Sequence, residues 1–190
     1  MDPANGTPPV YPPVAPANRM GLVSLLRDLL ISIGFAIVLI VFIYQPVKVE
    51  GTSMMPGLED QERIFVNKYE YSLGGGAAIS RGDLVVFHFP LDPRQSYIKR
   101  IIGVPGDTVE IDDGKVIVNG VPLDEPYVPN EYRDHATISP RPVRPGHYFV
   151  LGDHRSSSSD SRMWGLVDRP SIYGKAVFVY WPPDKIGRVH

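Results

Sequence analysis

The sequence predicts a mainly β protein, an antiparallel β-sheet domain carried behind one long apolar helix. Two observations predict it. Nineteen consecutive residues from Leu29 to Val47, LLISIGFAIVLIVFIYQPV, contain no charged side chain. Beyond Pro46 the chain changes to short β-rich runs separated by Asn-Gly, Asp-Gly and Pro-Gly turns, with no long helical period.

The uncharged stretch is close to the ~20 residues needed to cross a bilayer core. Pro46 is expected to stop the helix, because proline lacks a donor and its predecessor avoids helical dihedrals. Tyr44 and Gln45 sit where an interfacial flank belongs. A core helix apolar on every side would be out of proportion to so small a domain. A cleavable leader has a shorter apolar region ending in small residues, which VFIYQPVKVE does not provide. A surface helix needs a polar face, and none is visible.

Residues 22–45 are therefore expected to form one transmembrane helix. Arg19 and Arg27 precede it and Lys48 follows it, which orients the N-terminus toward the cytoplasm. Residues 46–190 then form the extracytoplasmic, or lumenal, domain of a single-pass membrane protein. Pro3, Pro8, Pro9, Pro12, Pro13 and Pro16 crowd the start of the chain. Residues 1–21 read as a proline-rich, disordered cytoplasmic tail.

The remaining length suits one compact domain. The net charge of −2 offers no basic stripe, so no nucleic-acid partner is expected. With no cysteine, disulfides, thiolate nucleophiles and cysteine metal sites are excluded. His88, His135, His147, His154 and His190 are scattered without metal-ligand spacing, so neither metal nor cofactor is expected.

Candidate strands are LVVFHF (84–89), TVEI (108–111), KVIV (115–118), HYFVLG (147–152) and GKAVFVYW (174–181). Asp113-Gly114 and Asn119-Gly120 mark hairpins on either side of KVIV. The run from Leu123 to Pro145, rich in proline and charge, reads as an excursion with little regular structure.

Three stretches could carry chemistry. Ser53 lies in GTSMMPGL directly behind the apolar span, though such a segment also suits a plain turn into a strand. A serine hydroxyl needs a base to become a nucleophile. Lys99 lies in YIKRIIGVPGD, where strand alternation puts Tyr97, Lys99 and Ile101 on one face. An apolar face would desolvate the ammonium and lower its pKa, whereas a surface lysine would snorkel to water. The third stretch is GDHRSSSSDSRMWG, either a flexible serine-rich loop or an ordered one that orients the lysine. Asp153 with Arg155, and Asp160 with Arg162, are spaced for local ion pairs.

In this order behind an apolar span, GTSMMPGL, RGDLVVF, YIKRIIGVPGD and GDHRSSSSDSRMWG closely resemble the signal peptidase I family. The resemblance implies a serine–lysine protease on the β fold of that family. Ser53 aligns with its nucleophile and Lys99 with its general base. Ser158 aligns with a hydroxyl that hydrogen-bonds the lysine, Asp160 and Arg162 with a supporting ion pair, and Asp153 and Arg100 with structural positions. Val47, Val49, Met54, Leu58, Tyr97 and Ile98 align with shallow pockets for the small residues of Ala-x-Ala-like sites.

The implied partners are precursors bearing signal peptides and the lipid bilayer, with the enzyme itself a monomer. Two departures stand out. Gly51 lacks the hydroxyl that many relatives use as a second oxyanion donor. His154-Arg155-Ser156-Ser157 replaces their common Asn-Arg-Asp-Asn. Two rival readings are a self-cleaving serine–lysine protease on a similar fold and a catalytically silent anchored β domain that binds exported proteins.

Overall fold

Leu22–Ile43 form one helix, α1, of 22 residues, about 33 Å long at the α-helical rise. From Leu22 to Ile40 the described apolar side chains of α1 are exposed around it, among them Ile31 and Phe35, and Ile43 at its end is half-buried. Its two charges, Arg27 and Asp28, pair with each other at 2.9 Å. The computed structural model describes residues 21–69, 71 and 78–189, so all but the last residue of the expected tail lies outside the described residues. Counted over the described residues alone, no helix is long and apolar enough to cross a membrane.

α1 ends at Ile43, two residues before the expected boundary. Tyr44 and Gln45 already pair with Asn67 and Val66 in the first strand. Pro46 sits in that strand, at the edge of its sheet, where a missing backbone donor costs no ladder bond.

The chain divides into two units, Met1–Val38 and Leu39–His190. The second unit is built from two antiparallel sheets. Its strands are β1 (Tyr44–Lys48), β2 (Arg63–Asn67), β3 (Leu84–Phe89), β4 (Asp92–Gly103), β5 (Thr108–Asp112) and β6 (Lys115–Val118). They continue with β7 (Val121–Pro122), β8 (Ile138–Pro142), β9 (His147–Leu151), β10 (Val167–Asp168), β11 (Ile172–Trp181) and β12 (Gly187–Arg188). The larger sheet runs β1-β2-β11-β3-β4-β9-β10, with β12 on β11. The smaller runs β7-β6-β5-β8.

Both expected hairpins form. Asp113 and Gly114 join β5 to β6, and Asn119 and Gly120 join β6 to β7, all four with positive φ. That is the backbone of a two-residue turn whose twist matches its strands. The expectation of an irregular run from Leu123 to Pro145 needs correction. Its last part is β8, which pairs with β5 through Thr108↔Pro142 and Ile111↔Ile138. Ser-Pro-Arg-Pro gave no strand signal, but an edge strand paired on one side tolerates proline.

Three apolar clusters fill the domain. One joins Val49, Met54, Leu58, Ile64 and Val66 under β1 and β2. A second gathers Val85, Phe87, Ile101 and Val150. The third joins the two sheets through Ile102, Val109, Ile111, Phe149 and Leu151. Phe149 is fully buried there. Phe149→Ala is expected to lower the stability of the intact chain by about 3–5 kcal/mol, read from its denaturant midpoint.

Candidate active site

Ser53 stands in a loop closed at its base by the main chain. Val49 N–H donates to Glu62 O at 2.8 Å, and Gln61 N–H donates to Val49 O at 2.9 Å. Gly51 has φ +90°, a conformation that glycine enters without a Cβ penalty. Its N–H donates to Asp60 Oδ1 at 2.8 Å. Further along the loop, Met54 and Leu58 sink into the first apolar cluster and anchor it from below. Ser53 thereby faces a cleft of about 590 Å³.

Lys99 reaches the same cleft from β4, where it lies opposite Val85 of β3. It is only 4% exposed. Its Nζ is 2.6 Å from Ser53 Oγ and 5.4 Å from the centre of the Tyr97 ring. Burial draws the Lys99 pKa down from 10.5 to about 8, with Asp160 and Asp153 pulling it back up and Arg162 pushing it further down. Charged, the ammonium donates to the serine oxygen. Neutral, the amine can take the serine proton.

The third wall is residues 152–162, which form an ordered loop. A Cβ on Gly152 would come within 2.2 Å of Ser158 Oγ and 2.5 Å of Ser53 O, so only glycine fits between them. Asp160 is fully buried. It accepts from Gly152 N–H at 3.2 Å and from Arg162 Nε and Nη2 at 2.8 Å each. Arg162 also pairs with Asp134. His154 N–H donates to Ser53 O at 3.1 Å.

Asp153 does not form the expected pair with Arg155. Arg100 takes its carboxylate in a bidentate bridge of 2.8 and 2.6 Å across 53 residues of sequence. Burial pushes the Asp153 carboxyl upward and the Arg100 guanidinium opposes it. Arg155 turns instead to buried Glu125, with Nη1 at 3.1 Å from Oε2, and donates through Nε to Gly152 O at 2.9 Å.

Two further expectations change. Ser158 Oγ is buried and makes no hydrogen bond, so the bond expected from it to Lys99 is absent. It packs over Gly152 instead. Leu58 does not line the cleft, because it is fully buried in the core. Val47, Val49, Met54, Tyr97 and Ile98 do line it.

Glu125, Asp134 and Asp60 carried no sequence signal. The first two lie in the proline-rich excursion and meet Arg155 and Arg162 only through the tertiary fold. Asp60 could have been suspected only by foreseeing that the loop after Ser53 returns to Gly51. Among the described residues no group of three or more His, Asp or Glu could hold a metal.

Residues 22–181 match the family described as signal peptidase, peptidase S26. The chain is 33% identical to the signal peptidase I of Leptolyngbya laminosa, over 98% of this chain and 94% of that one. It is 39% identical to signal peptidase IB of Staphylococcus aureus, over 80% and 86% of the two chains. A crystal structure of a signal peptidase I from Enterococcus faecalis V583 is 38% identical, with a TM-score of 0.45, covering 52% of this chain and 96% of that one. With that family match running over most of its length, the chain belongs to the signal peptidase family, peptidase S26, and is a serine-type, signal peptide-cleaving peptidase.

Proposed function

We propose that the chain is a membrane-anchored signal peptidase I in which Ser53 is the nucleophile and Lys99 the general base. It removes signal peptides from exported precursors after Ala-x-Ala-like sites. The observation that carries this reading is the 2.6 Å separation of Lys99 Nζ and Ser53 Oγ. It comes with a burial that brings the amine's pKa to about 8, near the working range of a base.

Neutral Lys99 takes the Ser53 proton as Oγ adds to the scissile carbonyl carbon. Ser53 N–H donates to the oxygen that becomes negative. The Lys99 ammonium then returns a proton to the leaving amine nitrogen, and the C–N bond breaks. Water, deprotonated by the same amine, attacks the acyl-enzyme; the ester C–O bond breaks and Lys99 returns the proton to Ser53 Oγ.

Asp160, Arg162, Asp153 and Arg100 hold the loop and strand around the pair, and Ser158 packs beside Ser53. Val47, Val49, Met54, Tyr97 and Ile98 supply apolar surface suited to small side chains. The uncharged span Leu29–Val47 supports an anchor through α1, with its N-terminus in the cytoplasm. A substrate whose signal peptide sits in the same bilayer meets the enzyme at raised effective concentration.

Four outcomes are expected. Ser53→Ala and Lys99→Ala each lose on the order of 10,000-fold or more in cleavage of an Ala-x-Ala peptide by detergent-solubilised enzyme. Equal cleavage by wild type and Lys99→Ala would sink the dyad and turn attention to His88 or His154. Because the base acts as the neutral amine, kcat/KM should rise with pH through a limb near pH 8 and level off above it. Gly152→Ala, which drives a methyl into Ser53 O and Ser158 Oγ, should cost roughly 100-fold in kcat. After alkaline carbonate extraction the intact chain should stay in the membrane pellet, and its recovery in the supernatant would overturn the anchor.

A further inference from the structure

The main chain around Ser53 is gripped by one residue whose role the dyad leaves open. His154 makes two bonds to consecutive carbonyls. Its N–H donates to Ser53 O at 3.1 Å, and its ring Nδ1 lies 3.2 Å from Thr52 O. A carbonyl oxygen can only accept, so Nδ1 must carry the proton. The ring is held edge-on against Tyr132, with centroids 4.4 Å apart and planes at 76°.

Thr52 C=O and Ser53 N–H are opposite ends of one trans peptide plane. Fixing the oxygen therefore fixes the direction of the N–H. It also polarises the amide in the sense that makes the N–H a stronger donor. The Glu50–Gly51 peptide, two units back, is fixed too, because Gly51 N–H is committed to Asp60 Oδ1. Gly51 has no side chain to stabilise an oxyanion, and its amide is engaged elsewhere. Transition-state stabilisation in this loop thus falls on Ser53 N–H. Thr52 O also accepts from Met55 N–H at 3.1 Å, so its plane is held from within the loop by Met55 and from across it by His154.

We infer that His154 is a positioning residue for the oxyanion site, its Nδ1–H holding the Thr52–Ser53 peptide so that Ser53 N–H meets the developing charge. The inference rests on the proposed role of Ser53 as nucleophile. Removing a preorganised oxyanion donor outright costs about 100- to 1,000-fold in kcat. Loosening one that remains present should cost on the order of 10-fold.

Three variants test it. His154→Phe keeps a ring against Tyr132 but has no donor, His154→Ala removes both, and His154→Asn places an amide N–H where Nδ1 stood. The readouts are kcat and KM on an Ala-x-Ala peptide, and the inhibition constant of a matching peptide aldehyde. The Ser53 hydroxyl adds across the aldehyde C=O to give a tetrahedral adduct that needs the same donor.

Expected are a roughly 10-fold fall in kcat for His154→Phe and His154→Ala with KM within twofold, a parallel weakening of the aldehyde, and recovery of turnover in His154→Asn. Ser53→Ala is run alongside. If it is inactive while His154→Phe retains wild-type kcat and aldehyde affinity, this inference alone falls. If KM rises in the variants while kcat holds, the residue shapes substrate binding and the inference also falls. If Ser53→Ala remains active, the proposed nucleophile falls and this inference with it.

Discussion

An amine taken out of water loses the hydration that favours its ammonium form, and the burial of Lys99 beside Ser53 depends on keeping that effect uncompensated. Three arginines lie close by, and each is matched to its own carboxylates. Arg100 is held by Asp153, Arg155 by Glu125, and Arg162 by Asp160 and Asp134. Arg133, 3.8 Å from Glu125, brings the guanidinium groups to four against those four carboxylates. Asp160 and Asp153 still pull its pKa upward, but Arg162 opposes them and burial outweighs both. Arg162 thus limits how far the carboxylates restore the ammonium, and removing one partner of these pairs would strand a buried charge.

Sheet register explains how three distant segments meet at this amine. β4 carries Lys99 and Arg100 on successive positions, which point to opposite faces. Lys99 turns to Ser53, and Arg100 turns to Asp153. A slip of one residue against β3 would exchange the two and put a guanidinium, which cannot act as a base, where the amine stands. On its other side β4 pairs with β9, Arg100 opposite Leu151. The chain leaves β9 at Gly152, directly against Ser53 O. The close approach that only glycine allows is the point where the nucleophile's loop, the lysine's strand and the charged loop converge.

What the sequence revealed follows the same division. Strands were legible where local sequence decides them: β5 and β6 by alternation and their Asp-Gly and Asn-Gly turns, β3 and β9 as short β-rich runs. Ser53 and Lys99 stood out through their motifs, and the strand pattern around Lys99 placed it with Tyr97 on one face. Partners across the fold were not legible. Asp153 and Arg155 are close in sequence but pair with Arg100 and Glu125, whereas Asp160 and Arg162, spaced alike, do bridge each other; spacing alone does not choose the partner, the fold does. β8 was hidden because prolines mask an edge strand whose pairing comes entirely from β5. Leu58 was misplaced for a related reason: its motif lines a cleft, but a side chain at that position points down into the core.

The depressed pKa that makes Lys99 useful also makes it a burden on the fold. The difference between 10.5 and about 8 corresponds to about 3 kcal/mol favouring the unfolded chain wherever the lysine is charged in both states. A buried lysine with a lowered folded pKa binds fewer protons folded than unfolded between those two values. Its contribution to stability therefore rises with pH across that window. Below about pH 8 the full deficit stands, and it must be met by the rest of the domain. The three apolar clusters, with Phe87, Phe149 and Ile101 fully buried among them, are sized to meet it. A core of this extent allows a buried base to be held beside the cleft without unfolding the domain.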